Sequence, residues 1–268
     1  MKLSRKQMKL ACTITLAVVS CTSYSSLLWA QPAKPTNSIP DSRQVRWRSP
    51  PQPQQQEPDF SGDGRPGRRA GGGSRSPCPS KDIPLNALIP VTNSGKTVAA
   101  HPTFWVYVPY SPQEVNAGEF VLQDENYNDV YRTPVTLPKT PGLVSLNIPP
   151  REQPLEINKW YFWSFKIYCQ PQKLSAPVFV EGWVQRIAPT PELERQLKAT
   201  ATRDYFVYAN NGIWYDAIAR LAELRRDRPP NAMRDRDWTQ LLSLRGIGLE
   251  RLNQKPIIGS AIQLAQDP

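Results

Sequence analysis

The sequence predicts an α+β protein: an antiparallel β-sandwich of immunoglobulin-like type over residues 76–188, then a helical hairpin and a third helix over 189–250. Three observations carry this. From Cys78 to about Ile187, short apolar runs alternate with period two and are cut by Pro, Gly and Asn at regular spacing. After Pro189 the apolar residues recur at three and four, the helical spacing. Ahead of Cys78, residues 31–75 hold too few apolar groups to form a core.

The chain opens with a secretory pattern. Lys2, Arg5, Lys6 and Lys9 make a basic start, residues 10–19 are apolar, and a second apolar cluster ends at Ala30. The intervening Ser20-Cys21-Thr22-Ser23-Tyr24-Ser25-Ser26 is polar, so no run approaches the roughly 20 residues of a membrane span. Residues 1–30 are expected to be removed, with cleavage after Ala30. The rival is lipid attachment at Cys21, for which Val18-Val19-Ser20-Cys21 is an acceptable lipobox; only in that case would the protein sit on a membrane. Loss of this segment leaves Cys78 and Cys169. Two thiols in an oxidising compartment most simply make one disulfide, the alternative being two buried free thiols.

Residues 31–75 are expected to be a disordered Pro/Gly/Arg-rich linker. Residues 50–58 are mostly Pro and Gln, and residues 61–75 mostly Gly, Arg, Ser and Pro. Such residues offset little of the roughly 1–2 kcal/mol of backbone entropy that each ordered residue costs. The chain's formal charge is +10, but the signal holds four of the cations and no acid, and most of the remaining excess lies on this linker. Arg65, Arg68, Arg69 and Arg75 are therefore the candidates for attraction to anionic envelope surfaces. The Arg/Gly run would suit a nucleic-acid tail in a cytosolic protein, but export argues against nucleic acid as partner.

Strands follow in order. Thr103-Phe104-Trp105-Val106-Tyr107-Val108 is nearly all β-formers and stops at Pro109. Residues 120–123 and 130–133 flank the polar run 124–129, which suits a hairpin turn. Residues 143–148 alternate; residues 160–169 put Tyr161, Trp163, Phe165, Ile167 and Cys169 on one face; residues 178–184 make a further strand. Trp160 and Phe162 share the opposite face. It is expected to be covered by the helices, which need somewhere to bury Trp214, Ile218 and Leu221, or else to stand exposed as an aromatic platform. A helix over 192–209 is ended by Asn210-Asn211-Gly212, a second over 213–228 by Pro229-Pro230, and a third covers 237–244. The tail, 251–268, carries no signal.

Catalytic motifs are mostly absent. Gly95-Lys96-Thr97 imitates the end of a P-loop, but Pro90 stands where the first glycine belongs. No G-x-S-x-G, H-E-x-x-H or C-x-x-C occurs. The lone histidine, His101, cannot build an imidazole metal cluster, and it reads as a structural residue at a strand start. Asp124, Glu125 and Asp129 are acids close together, but a solvated turn accounts for them better than a glycosidase pair does. No cofactor and no metal are expected.

Taken together, Gly64-Arg65-Pro66-Gly67-Arg68-Arg69, Pro77-Cys78-Pro79, Pro102-Thr103-Phe104-Trp105-Val106-Tyr107-Val108-Pro109-Tyr110, Val180-Glu181-Gly182-Trp183 and Asn211-Gly212-Ile213-Trp214-Tyr215-Asp216-Ala217 resemble the cyanobacterial domain-of-unknown-function family DUF928. The resemblance runs from about residue 64 to 248. It implies an exported envelope protein of a photosynthetic bacterium and brings no catalytic residue, cofactor or substrate. The expected function is a non-enzymatic binding or structural module of the periplasm or cell envelope, its partner an envelope protein or anionic envelope polymer. The alternative is an envelope hydrolase acting on a glycan or peptide.

Overall fold

The computed structural model describes residues 57–71, 77–115, 117–137, 139–169, 176–200 and 202–263. The signal segment with Cys21 and Ala30, the linker as far as residue 56, Arg75 and residues 264–268 lie outside these.

The fold is mixed α+β with two sheets. The strands are β1 (Asn86–Ala87), β2 (Ser94–Thr97), β3 (Thr103–Val108), β4 (Ala117–Gln123), β5 (Asp129–Thr136), β6 (Gly142–Asn147), β7 (Trp160–Tyr168), β8 (Val178–Arg186), β9 (Ile257–Ser260) and β10 (Ile262–Gln263). The smaller sheet has the order β1-β3-β6-β9 and the larger β10-β5-β4-β7-β8-β2. The alternating residues of both sheets fill one apolar cluster: Phe104, Val106, Val144 and Leu146 from the smaller sheet meet Phe120, Leu122, Trp163, Phe165 and Val180 from the larger. Gly182 lets Trp163 lie against β8, because a Cβ there would fall 2.7 Å from Ile89 Cδ1 and 3.0 Å from Trp163 Nε1. Cys78 and Cys169 are joined, with Cα atoms 5.1 Å apart, and pack against this cluster.

The pairing departs from the expected all-antiparallel pattern in both sheets. β2 runs parallel to β8, and β9 runs parallel to β6. The segment that carries no sequence signal supplies β9 to the smaller sheet and β10 to the larger. These strands are two to four residues long, too short for a period to register.

Four helices follow β8: α1 (Pro191–Ala199), α2 (Asp204–Asn210), α3 (Trp214–Asp227) and α4 (Ala232–Leu242). The first has Thr190 as N-cap, its hydroxyl accepting from Leu193 N–H, with Pro191 at the first position. It breaks at Thr200, so the single helix expected over 192–209 is two; the Ala-Thr-Ala-Thr stretch is rich in β-branched residues, which resist the helix. Gly212, at φ +69°, ends α2, and Asn231 caps α4 by accepting from Met233 and Arg234 N–H. The helices do not cover Trp160 and Phe162. They bury Trp214, Ile218, Leu221, Trp238 and Leu242 against Trp105, Tyr107 and Leu143 on the outer face of the smaller sheet. The reason lies in β3, which is apolar on both faces, with Phe104 and Val106 inward and Trp105 and Tyr107 outward, and so needs cover on both.

Residues 57–71 correct the expectation of a disordered linker over 31–75. Phe60 N–H donates to Arg245 O and its ring meets Trp214 edge-on at 5.2 Å. Arg65 N–H donates to Thr92 O, Arg68 O accepts from Glu181 N–H, and Arg69 O accepts from Ala87 N–H. Ala70 pairs with Asn86 as a β-bridge. This strap satisfies backbone groups at the open side between β8 and β1, where an unpaired edge would otherwise remain. Its lack of apolar side chains hid the ordering, which backbone hydrogen bonds and stacked arginines supply.

Candidate functional site

The two sheets differ on their outer faces. Helices bury that of the smaller sheet, while the larger sheet carries only the strap along one side. Its outward row follows from the registers: Glu119, Val121 and Gln123 on β4, Arg132 on β5, Trp160, Phe162, Ser164 and Lys166 on β7, and Phe179, Glu181, Trp183 and Gln185 on β8.

At the end nearest the β4–β5 turn the face is aromatic. Phe162 lies opposite Trp183 in the pairing of β7 with β8, their ring centroids 5.3 Å apart. Tyr127 meets Phe162 at 5.6 Å and Trp183 at 6.2 Å. Tyr127 stands at the tip of the turn with φ +63° and is 59% exposed. Asp124 builds that turn: its carboxylate accepts from the backbone N–H of Asn126 and Asn128 and from the Asn128 amide. These bonds hold its pKa below the usual carboxylate value. Asp124 is thereby a turn-former, and Asp129 pairs with Arg132.

Trp160 is overlaid by the strap. The Arg65 guanidinium lies 3.9 Å from the Trp160 ring centroid and 4.8 Å from that of Trp183. Pro66 O accepts from Trp183 Nε1–H at 2.8 Å, and the Asn93 amide donates to Arg65 O. Tyr215 on α3 fixes the same strand from beneath, accepting from Trp163 Nε1–H and donating to Trp183 O at 3.0 Å. Full burial pushes the Tyr215 hydroxyl pKa well up, which keeps it a neutral donor.

Below the rings the face is charged but balanced. Arg132 donates to Asp129 Oδ2 at 2.7 Å and to Glu119 Oε1 at 2.6 Å, and Lys166 Nζ donates to Glu119 Oε2 at 3.3 Å. Those two bonds push the Arg132 pKa up.

The structure gives the strap arginines intramolecular work. Arg65 stacks as described, the Arg68 guanidinium lies 4.9 Å from the Phe179 centroid, and Arg69 donates to Ile247 O and Gly248 O. The sequence grouped Arg65, Arg68 and Arg69 with Arg75 by charge; the aromatic and carbonyl partners that hold the first three are remote in sequence. Trp160 and Phe162 do share a face. Tyr127 was missed because it sits in a polar turn, and Trp183 because its register with Phe162 is not readable from either strand alone.

A separate cleft of about 190 Å³ lies between the end of β2 and α3, lined by Thr97, His101, Tyr208, Asp216, Arg220 and Glu223 among others. Burial pushes the Asp216 carboxyl up to about 6 and raises Glu223 as well. Asp216 accepts from Val98 N–H, His101 Nε2 is 2.9 Å from Glu152 O, and Arg220 donates to Asp204. Asp216, His101 and Arg220 thus each make a bond to another part of the fold. Among the described residues no group of three or more His, Cys, Asp or Glu is placed to hold a metal, and no helix is long and apolar enough to cross a membrane.

A sequence profile described as "Domain of Unknown Function (DUF928)" matches residues 70–257. No curated protein matches the chain. Among solved structures, the fn3 domain of human collagen alpha-1(XX) chain is similar at 15% identity, with 45% of this chain and 94% of that one covered and a TM-score of 0.25. At that score the likeness carries no argument.

Proposed function

We propose that this chain, which belongs to the DUF928 family, is a non-catalytic binding module of the bacterial cell envelope that uses the outer face of its larger sheet. Its two sheets are read as an immunoglobulin-like sandwich with a helical extension. The observation that carries the proposal is the asymmetry between the sheets: one outer face is buried under helices, and the other presents exposed Tyr127 beside part-exposed Phe162 and their charged neighbours. An exposed tyrosine held at a turn tip against the rings of Phe162 and Trp183 is placed to meet a partner. The basic-apolar start of the sequence and the disulfide both support export into an oxidising compartment.

The hydrolase alternative has the His101 cleft in its favour, since that concavity holds two carboxylates with raised pKa values. Against it, the Asp216 carboxylate is engaged by the backbone of the β2 end, and no serine or cysteine lines the cleft. The test is site-specific photocrosslinking in envelope fractions, with the crosslinker at position 127 or, for comparison, at Met233 on α4. The proposal expects a discrete product from position 127 and none from position 233. Equal labelling at both would sink it. Mass spectrometry of the N-terminus should find a start at Gln31 or at lipidated Cys21; intact Met1 in a cytosolic fraction would remove the export half.

A further inference from the structure

We infer that the ligand of the bare face is a neutral, extended glycan chain, an inference that rests on the reading of that face as a binding surface. Shape comes first. The face is an open sheet surface lined by side chains of successive strands, so a ligand lies along it rather than inside it. A polymer chain engages such a surface at several points, whereas a small molecule would leave most of its own surface in water.

Charge decides between polymer classes. Arg132 and Lys166 are matched on the face by Glu119 and Asp129, with separations of 2.6–3.3 Å. Glu156 and Lys159, beside Trp160, form another pair at 2.8 Å. An anionic chain would have to break these pairs to gain a cation, and a cationic chain to gain an acid. A hydroxylated neutral chain leaves them intact and hydrogen-bonds to their outer edges. The strap arginines do not tip the balance, because Arg65 is committed to Trp160 and Trp183, Arg68 lies over Phe179 near Glu181, and Arg69 is committed to backbone carbonyls.

The rings supply the remaining requirement. Sugar rings present C–H faces that stack on aromatic side chains, and recognition completes itself through a few placed polar groups. Tyr127 and Phe162 offer such a stack, with Trp183 underneath and the side chains of Gln123, Asn128 and Gln185 at its border, held in place by the bonds their amides donate to Tyr127 O and Asp129, to Asp124 and to Asn158 O. A protein partner fits less well. A stable protein interface buries about 800 Å² on each side, with an apolar centre. Here the exposed apolar residues near the site are Tyr127 and Ile157, divided by charged side chains.

Affinity electrophoresis tests this with the full mature chain in gels containing hydroxyethylcellulose, mixed-linkage glucan, glucomannan or amylopectin, with alginate as the anionic comparison. The expected result is retardation in at least one neutral gel, little affected by 0.5 M NaCl. Affinity should fall at least tenfold in Tyr127→Ala and in Phe162→Ala, and should be largely kept in Tyr127→Trp. Melting temperatures of the two Tyr127 variants should stay close to wild type, which separates lost binding from lost fold, while Phe162→Ala also removes a ring packed on Trp183 and should melt lower. Retardation in none of the neutral gels overturns the inference, as does retardation by alginate alone or binding that both alanine variants retain. Photocrosslinking at position 127 distinguishes the two levels. A discrete protein product with no glycan binding keeps the face as a binding surface and removes the glycan; neither product nor glycan binding removes both.

Discussion

Arg69 is the residue on which the ordered strap is most sharply testable. Its guanidinium donates to Ile247 O at 2.6 Å and to Gly248 O at 2.5 Å, in the loop after α4. Replacing it by Met keeps the aliphatic stem and removes both donors. Gly248 is exposed, so water replaces the lost bond there at little cost; Ile247 is buried, and its carbonyl is left without a donor. One hydrogen bond to a charged group is worth about 1.5–3 kcal/mol. Burial of the guanidinium opposes its charged form and takes part of this back, so the low end applies. With about 2–4 °C of melting temperature per kcal/mol for a domain of this size, Arg69→Met should melt about 3–6 °C lower. Differential scanning fluorimetry at 0.1 and 1 M NaCl measures it. Because the acceptors are uncharged carbonyls, the difference should survive high salt, where the Debye length is about 3 Å. A difference under 1 °C, or one that vanishes at 1 M, would mean that Arg69 is a tether cation and the strap is not seated.

Three further outcomes follow from other contacts. Gly246 has φ +78°, and a Cβ there would fall 2.3 Å from Phe60 C and 2.4 Å from Ser61 N; Gly246→Ala should therefore lift the start of the strap, lower the melting point and speed proteolytic cutting near residue 60. Removing the Cys78–Cys169 bridge by reduction or by paired serine substitution should cost about 4 kcal/mol, because it closes a 91-residue separation; unchanged melting under reductant would contradict this. Asp216, raised to about 6 by burial, binds its proton more tightly folded than unfolded, so stability is greatest below about pH 4 with respect to this group and falls as pH rises through 6. Asp216→Asn should match wild type near pH 4 and gain on it toward pH 7, read by urea unfolding across that range; a constant difference would show that Asp216 does not titrate there.

What was legible in the sequence was whatever repeats with a period. β3, written as six consecutive β-formers, appears as Thr103–Val108, and the polar run after β4 is the turn that Asp124 organises. The faces of β7 are assigned by alternation alone. What was illegible was held by single contacts between distant residues. The strap has no period and little apolar content; it is ordered by backbone bonds to Thr92, Glu181 and Leu85 and by one guanidinium on two indoles. Low hydrophobicity argues against a core, but it does not argue against an edge that borrows an existing core's backbone groups.

The same distinction explains why the candidate site was half visible. Alternation put Trp160 and Phe162 on one face but could not say what lies above them, because cover depends on which sheet the helices choose. That choice follows from which strand carries apolar side chains on both of its faces, and β3 does. β3 and β6 are buried along nearly their whole length, whereas β7 alternates, with Trp160, Phe162 and Lys166 part-exposed. Helices with Trp214, Ile218 and Leu221 on one stripe gain most by covering Trp105 and Tyr107 of β3 and Leu143 of β6. A strand whose outer row mixes rings with Lys166 and Ser164 gains little from such cover and would strand a charge beneath it. The aromatic residues left on that row therefore owe nothing to the helices, and their retention beside a balanced lattice of Glu119, Arg132 and Asp129 is what points outward, to a ligand that brings ring contact without charge.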